Sequence, residues 1–189
     1  MRIVPGISSF LLFLLGDMND AFWQRRWLKP SFPVGFVLLA ASTAWSVRAD
    51  FSETFGLLNF VFLVAAVFFG LLMIWALFFS FPPDQAYVKD SVRREAYTGG
   101  MYALCRHPGV IWFILMYMCL IPATGFPVPH VVIYCSLNIL LALVEDVWIF
   151  PRVFSNYHGY KQRTPFLIPT PDSFRMWIRS LGQKTKERG

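Results

Sequence analysis

Apolar residues in this chain come in long runs separated by short polar links, without the spaced stripe of a helix that packs on a soluble core. The first run, Ile3 to Leu15, is thirteen residues long and carries Pro5 and Gly6. That is short of the roughly 20 residues a bilayer span needs. The string Gly16-Asp17-Met18-Asn19-Asp20 after it predicts a polar turn, with no small-residue site at which a leader would be cleaved. A second run covers Phe32 to Val47, and a polar link with Arg48, Asp50 and Glu53 follows. Phe55 to Phe81 is then 27 residues almost free of polar side chains, enough to span with tilt. Pro82 and Pro83 are expected to end that helix, and Asp84 to Tyr97 reads as a polar loop. Two further runs, Gly109 to Ile121 and Val131 to Phe150, are joined by an uncharged proline-rich turn, Pro122 to Pro129. Pro151 is expected to close the last of them.

The pattern predicts an all-α, polytopic helical membrane protein in one domain, residues 1–189. It has five apolar segments: four spans and a short N-terminal one that either spans or lies at the interface. Residues 1–81 hold the N-terminal spans and residues 170–189 a basic tail, amphipathic and aromatic from Phe174 to Leu181. Composition agrees, with 56% hydrophobic residues and 20 phenylalanines. The net charge of +6 raises nucleic acid as a partner, but the basic residues lie between and after the apolar runs, where a membrane surface places them. They also set the orientation. Arg25, Arg26, Lys29, Lys89, Arg93, Arg94, Arg106 and the eight Lys and Arg from Arg152 onward fall on one side, and Arg48 on the other. The tail and the His107 end of its segment are therefore expected in the cytoplasm. Cys105, Cys119 and Cys135 are odd in number and widely spaced, which argues against a disulfide framework or a zinc site. Cys105, His107 and His158 form a weak metal set, and no metal is expected.

Candidate chemistry gathers at Gly100-Met101-Tyr102-Ala103-Leu104-Cys105-Arg106-His107-Pro108, the mouth of the Gly109–Ile121 run. Basic residues and a proline at a helix start are common membrane flanks. The partner segment, however, carries Glu145 and Asp146 about five residues from its cytoplasmic end, roughly 8 Å deep at 1.5 Å per residue. Carboxylates at such depth cost about 2.5–3.5 kcal/mol and are retained for a purpose more often than not. Neighbouring helix positions diverge by about 100°, so at most one of the two is expected to face the groove. A carboxylate, an imidazole and an arginine at one depth point to a polar pocket for a charged ligand, whose identity these residues leave open.

Three blocks carry a resemblance: Gly100-x-Tyr102-x-x-x-Arg106-His107-Pro108, then Glu145-Asp146, then Tyr157-x-x-Tyr160-Lys161-x-Arg163-x-Pro165. Over residues 96–169 the chain resembles the isoprenylcysteine carboxyl methyltransferase family, which is related to the membrane phospholipid methyltransferases. The resemblance implies methyl transfer from S-adenosylmethionine at the cytoplasmic membrane face, to a small or lipid-borne acceptor. Arg106, His107 and Glu145 would be the catalytic set. Ala96, Tyr97, Tyr102, His107, Pro108, Gly109, Val110, Glu145, Tyr157 and Tyr160 would bind the cofactor, with Glu145 meeting its ammonium and the two tail tyrosines closing over it. The chain departs from the family pattern at four positions. Val110 replaces a tyrosine, Trp112 a glycine, and Asp146 the second glutamate; Leu141 stands where the eukaryotic enzymes place an arginine for the substrate carboxylate. A prenylcysteine carboxylate is accordingly a poor acceptor, and Trp112 is expected to narrow the cleft. The rival reading is a non-catalytic member of this fold that binds lipid or a membrane partner. A small transporter is disfavoured by the scarcity of charge in the other spans.

Overall fold

The structure, a computed structural model, describes residues 2–47, 55–79 and 94–186. The link with Arg48, Asp50 and Glu53, the Pro82-Pro83 stop and the loop as far as residue 93 lie outside the described residues. Every regular element among those described is helical, and the pairing of Arg94 with Phe154 is an isolated bridge.

Helix α1 runs from Ile3 to Met18 and continues through a wide, π-type turn, Asn19–Trp23, to Gln24, whose left-handed backbone (φ 49°) stops it. The expected polar turn at Gly16–Asp20 is therefore helical. The chain reverses later, where Asn19 grips Arg25 at both its N–H (2.7 Å) and its carbonyl (3.2 Å). Helix α2, Ser31–Ser46, folds back along α1. The contact is close because Gly35 has no side chain: a Cβ there would stand 3.0 Å from the Ser9 carbonyl.

Helix α3, Leu57–Ile74, is extended by another π-type turn, Trp75–Phe79. It lies along α5, Pro108–Thr124, which follows the single turn α4, Met101–Leu104. Asn59 donates to the Pro122 carbonyl at 2.8 Å, and Phe69 stacks on Trp112 at 6.1 Å. α5 passes through Pro122 and ends at Gly125 in the left-handed conformation (φ 64°), so the expected turn is shorter than Pro122–Pro129. Pro122 sits in the last turn, so α5 ends at Gly125 soon after the ladder bond it removes. Helix α6, Val128–Val144, runs through a π-type turn, Glu145–Ile149, into α7, Phe150–Val153. Pro151 thus does not close it: the proline falls in the first turn of α7, where its missing N–H is tolerated. The tail forms α8, Tyr157–Arg163, and α9, Pro171–Lys186, the latter packed on α4.

Leu57–Phe78 and Val128–Val153, of 22 and 26 residues, are long and apolar enough to cross a membrane. Only 17% and 22% of their most apolar stretches are buried in the protein, and α3 turns Leu57, Phe60, Val64, Phe68 and Leu71 outward. Helices α1, α2 and α5, at 16, 16 and 17 residues, are shorter. The core between them is aromatic: Phe10, Phe13, Phe113, Tyr117, Phe126 and Tyr134. Its two phenols are paired, Tyr134 with Ser42 at 3.0 Å and Tyr117 with Thr43 at 2.5 Å, which ties α2 to α6 and α5.

Candidate functional site

Five helix ends meet at one end of the bundle: the C-terminal ends of α1, α3 and α6 and the N-terminal ends of α2 and α5. The chain enters this region through Gly100 (φ 56°), turns once in α4, and becomes extended at Cys105 before Pro108 starts α5. The non-helical backbone is paired with the tail. Arg106 N–H donates to the Pro165 carbonyl at 2.9 Å, and His107 N–H to the Phe166 carbonyl at 3.3 Å. Irregular backbone is thus satisfied by protein, as a low-dielectric setting demands.

Asp146 is the hub of the polar interior. Arg106 grips it with Nε on Oδ1 at 2.6 Å and Nη2 on Oδ2 at 3.1 Å. Lys161 Nζ stands 2.8 Å from Oδ2, and the Tyr157 hydroxyl donates to Oδ1 at 2.7 Å. The third arm of Arg106, Nη1, donates to the carbonyls of Lys161 (3.1 Å) and Thr164. Every polar atom of the Arg106 side chain is thereby committed to holding α6, α8 and the strand-like Cys105–His107 segment together. Burial and the Asp146 carboxylate hold the Tyr157 phenol far above its ordinary pKa, so it stays a donor; burial does the same for Tyr160, which donates to the Tyr102 carbonyl at 2.6 Å. Burial also pushes the Cys105 thiol up to about 12, which leaves it a poor nucleophile or metal ligand.

His107 lies between two carboxylates. Nδ1 is 3.4 Å from Glu145 Oε2 and Nε2 is 3.7 Å from Asp146 Oδ1. Both acidic side chains therefore reach the histidine, while of the two only Glu145 lines the cavity. The π-type turn beginning at Glu145 alters the spacing of side chains that an α-helix would impose. The imidazole stacks on Phe150 (5.6 Å, 8°) and meets the Phe166 ring edge-on at 5.1 Å. Burial opposes its charged form, but the two carboxylates outweigh that and hold its pKa above the ordinary value.

Above this hub opens a cavity of about 410 Å³, within the range of small-molecule sites. Its lining is polar at Asp17, Asp20, Tyr102, Arg106, His107, Asn138 and Glu145 and apolar at Phe13, Phe32, Phe36, Leu39, Met73, Leu77, Val110, Phe113 and Leu141. Three buried polar atoms of its lining, Asp17 Oδ2, His107 Nε2 and Asn138 Oδ1, have no hydrogen-bond partner among the described residues. Unspent polar atoms beside an aromatic wall fit a ligand with both an apolar and a polar part.

Of the residues singled out in the sequence, Tyr102, Arg106, His107, Pro108, Gly109, Val110 and Glu145 line the cavity together. Ala96, Tyr97, Tyr157 and Tyr160 stand outside its lining. Ala96 is clamped at both backbone groups by Asn156, at 2.7 and 3.1 Å, and Tyr97 packs on Tyr102. Trp112 does not narrow the cavity: two positions from Val110 it faces α3, where its indole stacks on Phe69. Asp17, Asp20 and Asn138 were not indicated by the motifs. A signal for one of them exists: Asn138 precedes Glu145 by seven positions, which places it on a helix face already marked.

Fold and site define an all-helical protein with two membrane-length apolar helices and a cavity of mixed polarity at one end of its bundle. Comparison of the chain with protein-family models, with curated proteins and with solved structures finds no match.

Proposed function

We propose that this protein is a polytopic membrane methyltransferase that takes its methyl group from S-adenosylmethionine. The acceptor is a small or lipid-borne nucleophile that reaches the cavity from the bilayer at the cytoplasmic face. The observation that carries the reading is the cavity itself. It joins Tyr102 and His107 from one motif and Glu145 from another to an apolar wall, in a chain whose helices present apolar surface outward. In this reading α1, paired with α2 along its length, shares the bilayer with the other four segments, and the distribution of basic residues favours the inner side for the cavity.

When bound, S-adenosylmethionine supplies an electrophilic methyl group on a positively charged sulfur. The chain's own contribution is placement and dryness. Glu145 offers a carboxylate to a cation in a low-dielectric site, where one fixed charge counts for several times its value in water. The stacked rings of His107 and Phe150 form a flat wall beside it. Phe13, Phe32, Leu39 and Phe113 exclude water from the acceptor half. Holding two reactants in line is worth a large share of such a barrier, about 7–11 kcal/mol in well-oriented cases, and asks for little acid–base machinery. Arg106 acts through position: tied to Asp146, it fixes the backbone from which His107 projects.

The test is transfer itself. Proteoliposomes containing the native membrane lipid extract and methyl-labelled S-adenosylmethionine should produce S-adenosylhomocysteine and a labelled extractable product. Cofactor binding without any transfer under these conditions would leave a lipid-binding member of the fold as the better reading.

A further inference from the structure

The cavity lining carries more negative charge than the resemblance accounts for. Asp17 and Asp20 come from the end of α1 and the wide turn after it, and both line the cavity with Glu145. Asp17 and Glu145 thus bring two carboxylates from separate helices to one cavity wall. The second oxygen of Asp17, Oδ2, is buried without a partner. Among the described residues no lysine or arginine pairs with any of the three; the one basic neighbour is His107, against Glu145. Arg106 reaches the same cavity but is committed to Asp146 and to two carbonyls. His107, 6% exposed, turns both ring nitrogens to carboxylates, Nδ1 to Glu145 at 3.4 Å and Nε2 to Asp146 at 3.7 Å. Carboxylates on a cavity wall, one with a buried oxygen that has no partner, fit a cationic ligand.

The surroundings distinguish which kind of cation. An ammonium needs several acceptors, and the α6 side offers them in Glu145 and Asn138 Oδ1. Asp17 offers one free oxygen beside a wall that holds Phe13, Phe32 and Phe36, the first two with centroids 5.0 Å apart. A sulfonium has no N–H to satisfy; negative charge and aromatic faces are what stabilise it. We infer that Asp17 is a cofactor-binding residue that favours the sulfonium of S-adenosylmethionine, so that α1 completes a site whose motifs all lie in the other half of the chain. The inference rests on the methyltransferase reading above. The product, S-adenosylhomocysteine, has a neutral sulfur and gains nothing from Asp17.

The experiment is a pair of calorimetric titrations, of S-adenosylmethionine and of S-adenosylhomocysteine, into the full chain purified in non-ionic detergent. Wild type should prefer the former. Asp17→Asn should weaken S-adenosylmethionine by about tenfold and change S-adenosylhomocysteine by less than about threefold, so that the preference collapses. Asp17→Glu, which keeps the charge, should restore part of it, and guards against a fold defect in the first variant. An unchanged ratio in Asp17→Asn, or an equal loss for both ligands, overturns the inference and leaves the methyltransferase reading standing. Wild type that binds neither ligand overturns both.

Discussion

The guanidinium of Arg106 and the carboxylate of Asp146 form a two-pronged, buried pair, Nε on Oδ1 at 2.6 Å and Nη2 on Oδ2 at 3.1 Å. Forty positions apart, they join the start of α5 to the end of α6 and, through Lys161 and Tyr157, to the tail. Both side chains are at most 7% exposed. The pair is the joint that sets the geometry of the cavity floor.

Asp146→Asn should therefore destabilise the protein by about 3–5 kcal/mol, because it leaves two cations facing one neutral amide. Thermal unfolding in detergent measures this. The double variant Arg106→Met, Asp146→Leu should lose less than the sum of the single changes, since no charge remains buried alone.

His107 carries the pH dependence. Its pKa in the folded protein is raised by Asp146 and Glu145 against the opposing effect of burial. The contribution to stability is fully present below the ordinary histidine value of about 6.5 and is lost as pH climbs through the raised folded value. Unfolding temperature should fall as pH rises above neutrality, and His107→Gln should flatten that slope. A slope unchanged by the substitution would assign it to other groups.

The helical class, the apolar runs and the meeting of Tyr102, His107 and Glu145 were legible in the sequence because each leaves a local mark: a long apolar run, a motif, a charge where charge is costly. The turns were less so. Gly16–Asp20 reads as a loop by composition, yet α1 continues through it because the chain reversal is made later, by the Asn19 clamp on Arg25. Pro122 and Pro151 read as turn and stop, yet Pro122 falls within the last turn of α5 and Pro151 in the first turn of α7, where its missing N–H is tolerated. The place of Asp17 in the cavity depends on α1 lying against α6, a tertiary fact with no trace in spacing. Asp146 as the hub was likewise hidden, since it depends on the widened turn that starts at Glu145.

Trp112 is a packing residue in this fold. Its indole stacks on Phe69 at 6.1 Å and an interplanar angle of 10°, away from the cavity lining. Trp112→Gly should cost about 3 kcal/mol or more in stability, from lost burial and from glycine within a helix. Its affinity for S-adenosylmethionine should stay within about twofold of wild type, a change under about 0.4 kcal/mol. Gain of cofactor binding in the variant alone would mean that the indole blocks the cleft after all.

Orientation can be read with two tags. One fused after Gly189 should be cytoplasmic and one inserted at Gly125, the left-handed residue that ends α5, should be external. Both tags on one side would separate the two ends of the α5–α6 hairpin from opposite membrane faces and remove the bilayer placement of the cavity.

The central claim is that the cavity binds S-adenosylmethionine with Glu145 as an anionic anchor, and calorimetry on purified protein tests it most directly. Glu145→Gln keeps shape and removes charge. Hydrogen bonds to charged groups are worth roughly 1.5–3 kcal/mol, so the variant should bind about tenfold or more weakly than wild type. Saturable binding by wild type with that loss in the variant is the predicted result. No binding by wild type, or equal affinity in the two proteins, would contradict it.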